Sequence, residues 1–192
     1  MTSTTRIPKA ELTGLYGALV KRMSRKMFGE VPEPVGVAWH NRKVLNLSFS
    51  IGRKAQKLDQ CDESLKSFAS MATASLVGCG FCLDFGYFQA HNEGLEVNKA
   101  REVPRWRVSD VFTSLERDVM EYAEAMTQTP PTVTDELSAR LLKALGPSAL
   151  VELTTVVALA NFMARGNVAM GVSSQEFSAA CDLEPLALAS SA

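Results

Sequence analysis

The sequence predicts an all-α protein built as a multi-helix bundle, and three observations carry that expectation. Apolar residues recur at helical spacing along most of the chain. Capping residues and glycine stops fall at the ends of those stretches. Alternating strand patterns run no longer than a few residues. At 192 residues, with 46% hydrophobic and 21% charged, the chain is long and apolar enough to bury a sizeable core. Residues 1–192 are therefore expected to form a single all-helical domain, with an N-terminal helix over 8–28 and a C-terminal tail over 173–192.

Taken in order, the first helix starts at Pro8, a residue suited to a first turn, and carries an apolar stripe of Leu12, Leu15, Leu19, Met23 and Met27. Gly29 stops it, and the run Val31–Val35, with Pro32 and Pro34, is a rigid connector. A second helix is expected from about Val35 to Leu58, with His40 on its apolar side. A third spans Asp62 to Val77, capped by Asp62, with Leu65, Phe68, Ala69, Ala72 and Leu76 facing inward and Gly78 closing it. The next runs to about Asn92 with an aromatic stripe of Phe81, Phe85 and Phe88, whose default role is core packing. Val97–Val108 is charged, contains Pro104, and reads as a surface connection. Thr113 and Glu116 form a capping-box pattern ahead of a helix with Leu115, Val119, Tyr122, Ala123 and Met126 on one face. Thr134 caps a short helix closed by Gly146-Pro147, and a long apolar helix follows over about Ser148–Val172. Within it Thr154, Asn161 and Arg165 make a polar seam, read first as an inter-helix network around a buried arginine.

Charge and leader patterns exclude several classes. A net charge of -1, from 20 basic and 21 acidic residues, gives no electrostatic footprint for nucleic acid or an anionic membrane. The first residues lack the apolar core of a signal peptide, and uncharged apolar runs stop short of the ~18 residues of a membrane span. A cytoplasmic protein is expected. The sequence implies no cofactor, since it has no Gly-rich phosphate loop.

Chemistry concentrates in the Cys79-Gly-Phe-Cys82 stretch. Opening a helix, the two cysteines lie roughly 60° apart on one face, which permits a disulfide within a turn. The helix N-terminus favours thiolate over thiol. A dithiol redox site is the sharp reading, and two small buried apolar residues the bland one. A zinc site ranks lower, because Cys61 and Cys181 form no second pair and only His40 and His91 remain as ligands.

The segment Leu65–Gly86, holding the CxxC, resembles the core of the carboxymuconolactone decarboxylase family, and most of all its alkylhydroperoxidase-D-like branch. The stretches from Glu116, Val151 and Ala160 to Asn167 are similar to that family's closing helices, so the resemblance covers roughly Pro34 to Val172. It implies an all-helical homo-oligomer and a peroxiredoxin-type oxidoreductase, with Cys82 peroxidatic and Cys79 resolving. A dihydrolipoyl or thioredoxin-like protein would be the reductant and a small molecule the substrate. The family's peroxidase pattern adds a glutamate twelve residues before the first cysteine and a histidine four after the second. Ser67 and Gly86 stand at those positions, so the proton relay is absent. Glu63, one turn before Ser67, is the nearest substitute, and His40 is the remaining candidate. Two alternatives stay open. One is a non-redox enzyme, either a decarboxylase-like lyase or one with a pocket lined by Phe81, Phe85 and Phe88. The other is a redox-inactive helical ligand-binding oligomer.

Overall fold

The computed structural model describes residues 5–187. Eight α-helices follow in order: α1 (Gly14–Phe28), α2 (Glu33–Ala38), α3 (Arg42–Ala55), α4 (Glu63–Val77), α5 (Gly80–Asn92), α6 (Val97–Glu102), α7 (Ser114–Thr127) and α8 (Asp135–Met170). Two 3-10 turns, Val103–Arg105 and Ala179–Cys181, complete the elements, and no strand occurs among the described residues.

Helix α4 is the axis, packed against α5, α7 and α8. Its inward residues, Leu65, Phe68, Ala69, Met71 and Ala72, are all buried. Alanines at 69 and 72 let neighbouring helices approach closely, while Phe68 meets Phe112 edge-on at 5.7 Å between ring centroids. Asp62 caps the helix by accepting from the backbone N–H of Ser64 and Leu65. Leu76 departs from the expected face and is exposed.

Two charges sit inside this core. Lys66 and Glu152 are both buried, with 3.2 Å between ammonium and carboxylate. Lys66 also donates to the Leu58 carbonyl and pairs with Glu63 at 2.8 Å. Glu152 accepts from the backbone N–H of Gln60 and Cys61. Burial alone would raise the Glu152 carboxyl, but those two amides and the Lys66 ammonium outweigh it and hold the group below the usual carboxylate range. The pair thereby clamps the loop before α4 onto α8.

Elsewhere the chain departs from expectation. The helix expected over 35–58 is two, because Asn41 accepts from the Lys43 and Val44 N–H groups and starts α3 afresh. His40 therefore lies in the break, exposed, not on a helical stripe. The first helix begins at Gly14 rather than Pro8, since residues 6–10 are irregular and bond to other elements. Arg6 N–H donates to the Met170 carbonyl and Ala10 N–H to that of Gly36. The α1 stripe turns outward, with Leu15 94% exposed and Leu19, Met23 and Met27 all more than half exposed. Helix α3 likewise buries only Leu45 and leaves Val44 and Leu47 in the open. Val97–Val108 is no surface connection: Ala100, Val103 and Trp106 are core residues.

The expected break at Gly146-Pro147 survives as a kink in α8, where Gly146 takes φ 77° and ψ 169°. This helix is long and apolar enough to cross a membrane, but it is the bundle's central partner of α4 and α7. The polar seam fastens it to α7: Thr154 to Tyr122 at 2.9 Å, Asn161 to Thr127 at 2.9 Å, and Arg165 to the Thr127 carbonyl at 2.5 Å. Arg165 is exposed, contrary to the expected burial.

Candidate functional site

The site begins with the turn between α4 and α5. Gly78 ends α4 in the left-handed region (φ 77°, ψ 27°), which lets the chain reverse within one residue. Cys79 then becomes the N-cap of α5, its sulfur accepting from the Cys82 backbone N–H at 3.2 Å. Cys79 and Cys82 are joined as a disulfide, with Cα atoms 5.3 Å apart, inside the usual window. Their environments differ. Cys79 is 1% exposed, whereas Cys82 is half-buried. Cys82 is therefore the more exposed member of the pair.

Beside Cys82 stands Asn167, on the last turns of α8. Its side-chain amide donates to the Cys82 sulfur at 3.3 Å, and the residue is 4% exposed. Asn167 also lines an apolar cavity of about 450 Å³ between the α2–α3 region and α8, with Val37, Leu45, Phe49, Phe162 and Met170. His40 is on that lining too, its Nε2 donating to the Pro8 carbonyl at 2.8 Å.

The other expected participants are dispersed. Glu63 is paired with Lys66 at the opposite end of α4, about 20 Å along the helix from the cysteines at 1.5 Å per residue. Ser67 lies half-buried on the same helix, one turn further on. At Gly86 the relay histidine has no room: a Cβ there would come within 2.8 Å of Met71 Cγ, and Met71 is a fully buried core residue. Phe81, Phe85 and Phe88 are packed as core, with Phe28 and Phe177 set against them at centroid separations of 5.2–6.5 Å.

The C-terminal segment closes the site's outer side. Buried Asp84, two residues after Cys82, accepts from the Ser174 hydroxyl, the Phe177 and Ser178 backbone N–H groups and the Ser178 hydroxyl. That places Phe177 on the aromatic cluster and Cys181 against the same cluster as Cys79 and Cys82. Cys61 belongs instead to the main core, where burial first and the Glu152 charge second push its thiol up to about 11. Among the described residues, no group of three or more His, Cys, Asp or Glu could hold a metal ion. Asn167 and Asp84 are the site residues that sequence reasoning missed. The available signal was a second amide, after Asn161, near the end of an apolar helix, and an aspartate inside an aromatic one.

A helical fold with a CxxC disulfide heading a helix defines a class of small thiol-bearing helical proteins. The carboxymuconolactone decarboxylase family model matches residues 45–125. The uncharacterized protein YnjA of Escherichia coli (strain K12) is 34% identical over 156 residues, spanning 80% of this chain and 85% of that one. This chain belongs to the carboxymuconolactone decarboxylase family. Solved structures share the fold. The debrominase Bmp8, in complex with 2,3,4-tribromopyrrole, has a TM-score of 0.77 at 18% identity, covering 93% of this chain and 98% of its own. The alkylhydroperoxidase AhpD core of an uncharacterized peroxidase-related protein from Ralstonia eutropha JMP134 has a TM-score of 0.75 at 14% identity, covering 92% and 96%.

Proposed function

We propose that this protein is a thiol oxidoreductase in which Cys82 attacks and Cys79 resolves. The observation that carries the reading is the Cys79–Cys82 disulfide at the head of α5, with one sulfur buried and the other accessible. In the reduced state the Cys82 thiolate would attack the terminal oxygen of a hydroperoxide, releasing the alcohol after protonation and leaving a sulfenic acid. Cys79 then displaces water from that sulfur and forms the disulfide. Overall, one hydroperoxide and two thiols give an alcohol, water and a disulfide. A dithiol reductant, dihydrolipoyl or thioredoxin-like, returns two electrons and two protons. Such a cycle belongs in the reducing cytoplasm.

With Gly86 in place of the histidine, turnover of hydroperoxide is expected to be slow. A second reading is favoured by the apolar cavity behind Asn167. There the same dithiol reduces an uncharged organohalide, one carbon–halogen bond and two thiols giving a carbon–hydrogen bond, hydrogen halide and the disulfide. The decarboxylase-like lyase is not favoured, since among the described residues neither lysine nor arginine lines this cavity. The outward apolar faces of α1 and α3 support assembly into a homo-oligomer.

The test is to reduce the protein, add cumene hydroperoxide or a bromopyrrole, and follow both substrate loss and the Cys79–Cys82 linkage by mass spectrometry. Formation of one disulfide per substrate consumed, abolished by Cys82→Ser, is expected. Free thiols after substrate is consumed would sink the reading.

A further inference from the structure

The loss of both relay residues leaves Cys82 without a base, yet its sulfur is not without a donor. We propose that Asn167 is the thiolate-stabilising residue of Cys82, taking by hydrogen bonding the place that Met71 denies to a histidine at Gly86. This rests on the dithiol reading above.

The geometry is specific to one sulfur. Asn167 Nδ2 lies 3.3 Å from Cys82 Sγ, while the Cys79 sulfur receives the Cys82 backbone N–H at 3.2 Å. Each sulfur thus has one donor of its own. A disulfide sulfur is a weak acceptor and a thiolate a strong, charged one, so the Asn167 bond strengthens when Cys82 is reduced and ionised. The residue is 4% exposed, so water competes little for its amide, and its backbone carbonyl is fixed by the Gly171 and Val172 N–H groups. The backbone that carries the side chain is therefore set before the thiolate forms.

Polar groups on the surrounding elements are engaged elsewhere. Asp84 is turned to the C-terminal segment by four donors. Glu33 pairs with Lys9 and accepts from Ser173 N–H. Cys181 packs in the same apolar cluster, and His40, across the cavity, bonds to the Pro8 carbonyl.

An amide differs from a histidine in one decisive way: it cannot take up a proton at ordinary pH. Asn167 stabilises the thiolate without relaying its proton, so reactivity at Cys82 should follow one ionisation, that of the thiol itself. Asn167 also lines the apolar cavity, of which Cys82 is not itself a part, so this one amide touches both the cavity and the sulfur.

The test uses the full chain, reduced, with iodoacetamide as probe and the alkylation rate of each cysteine read by peptide mass spectrometry from pH 5 to 10. Asn167→Ala is expected to raise the apparent pKa of Cys82 by about one unit, a tenfold loss of rate below it, equivalent to about 1.4 kcal/mol. Asn167→Asp should raise it further by like-charge repulsion, and Cys79 should not follow. An unchanged Cys82 profile in a folded Asn167→Ala protein overturns the proposal. Should that variant fail to fold, the wild-type protein decides. The Asn167 side-chain amide resonance must titrate with the Cys82 thiol after reduction, and a resonance that ignores the ionisation refutes the role. Failure of the redox reading would show separately, as turnover that survives Cys82→Ser while the Cys82 alkylation profile still shifts in Asn167→Ala.

Discussion

Gly86 is mid-helix in α5, where glycine costs roughly 0.5–1 kcal/mol relative to alanine. On propensity alone, Gly86→Ala should stabilise the protein by that amount. Packing says otherwise. The new Cβ would stand 2.8 Å from Met71 Cγ and 3.6 Å from Met71 Sδ, and an ordinary carbon–carbon contact needs about 3.5–4.0 Å. Met71 would have to yield by roughly 0.7–1.2 Å at a position 1% exposed, and overpacking of that kind costs ~1–3 kcal/mol. The sum predicts that Gly86→Ala destabilises the protein by ~0.5–2 kcal/mol, lowering Tm by about 1–8 °C for a chain of this size. In a Met71→Ala background the obstruction is gone, and the same substitution should stabilise by ~0.5–1 kcal/mol. Urea denaturation of the four proteins measures the coupling, expected at ~1–3 kcal/mol with a reversal of sign. A Gly86→Ala change that stabilises both backgrounds equally would refute the steric account of the missing histidine. Gly86→His should be tolerated only where Met71 has been shortened.

Three further outcomes are expected. Removing one member of the buried pair, by Lys66→Met or Glu152→Gln, should cost ~3–5 kcal/mol by chemical denaturation, since each leaves the other charge or its amide donors uncompensated. Because the folded-state Glu152 carboxyl is held below its usual range, its stabilisation is present above the unfolded value near ~4.3 and is lost as pH falls through the folded one. An acid-unfolding curve should therefore shift in Glu152→Gln. Cys61, pushed up to about 11, should resist iodoacetamide at pH 8 in the native state while reduced Cys82 reacts, and comparable rates would contradict its burial. Finally, Asp84→Ala should release the C-terminal segment, seen as cleavage after residue 172 by a nonspecific protease at concentrations that leave the wild type whole.

The helices themselves were readable wherever local signals agreed. Asp62, Thr113, Thr134 and Gly78 each mark an end that the structure keeps, and Gly146 marks a kink. Faces were harder to read. The Leu15–Met27 stripe has the periodicity of a core-facing helix and yet points outward, because periodicity reports that a face is apolar and not what covers it. Asn41 hid a helix start inside an unbroken apolar pattern, which moved His40 from a stripe to a loop. At the site, spacing permitted the disulfide pair without deciding it, and the missing relay was visible only against the pattern of the family the sequence resembles. What replaces the relay was not visible. The Asn167–Cys82 contact joins residues 85 apart in sequence, and only the packing of α8 on α5 brings them together.

The sulfur of Cys79 is at once half of the disulfide and the cap of α5. Its acceptor strength changes with its oxidation state, so the first backbone bond of that helix changes with it. The Cys82 peptide N–H is thus a built-in electrochemical gauge. Its chemical shift and its rate of deuterium uptake should differ between the two states, and a dye-free assay of the redox midpoint can be read from that one backbone position.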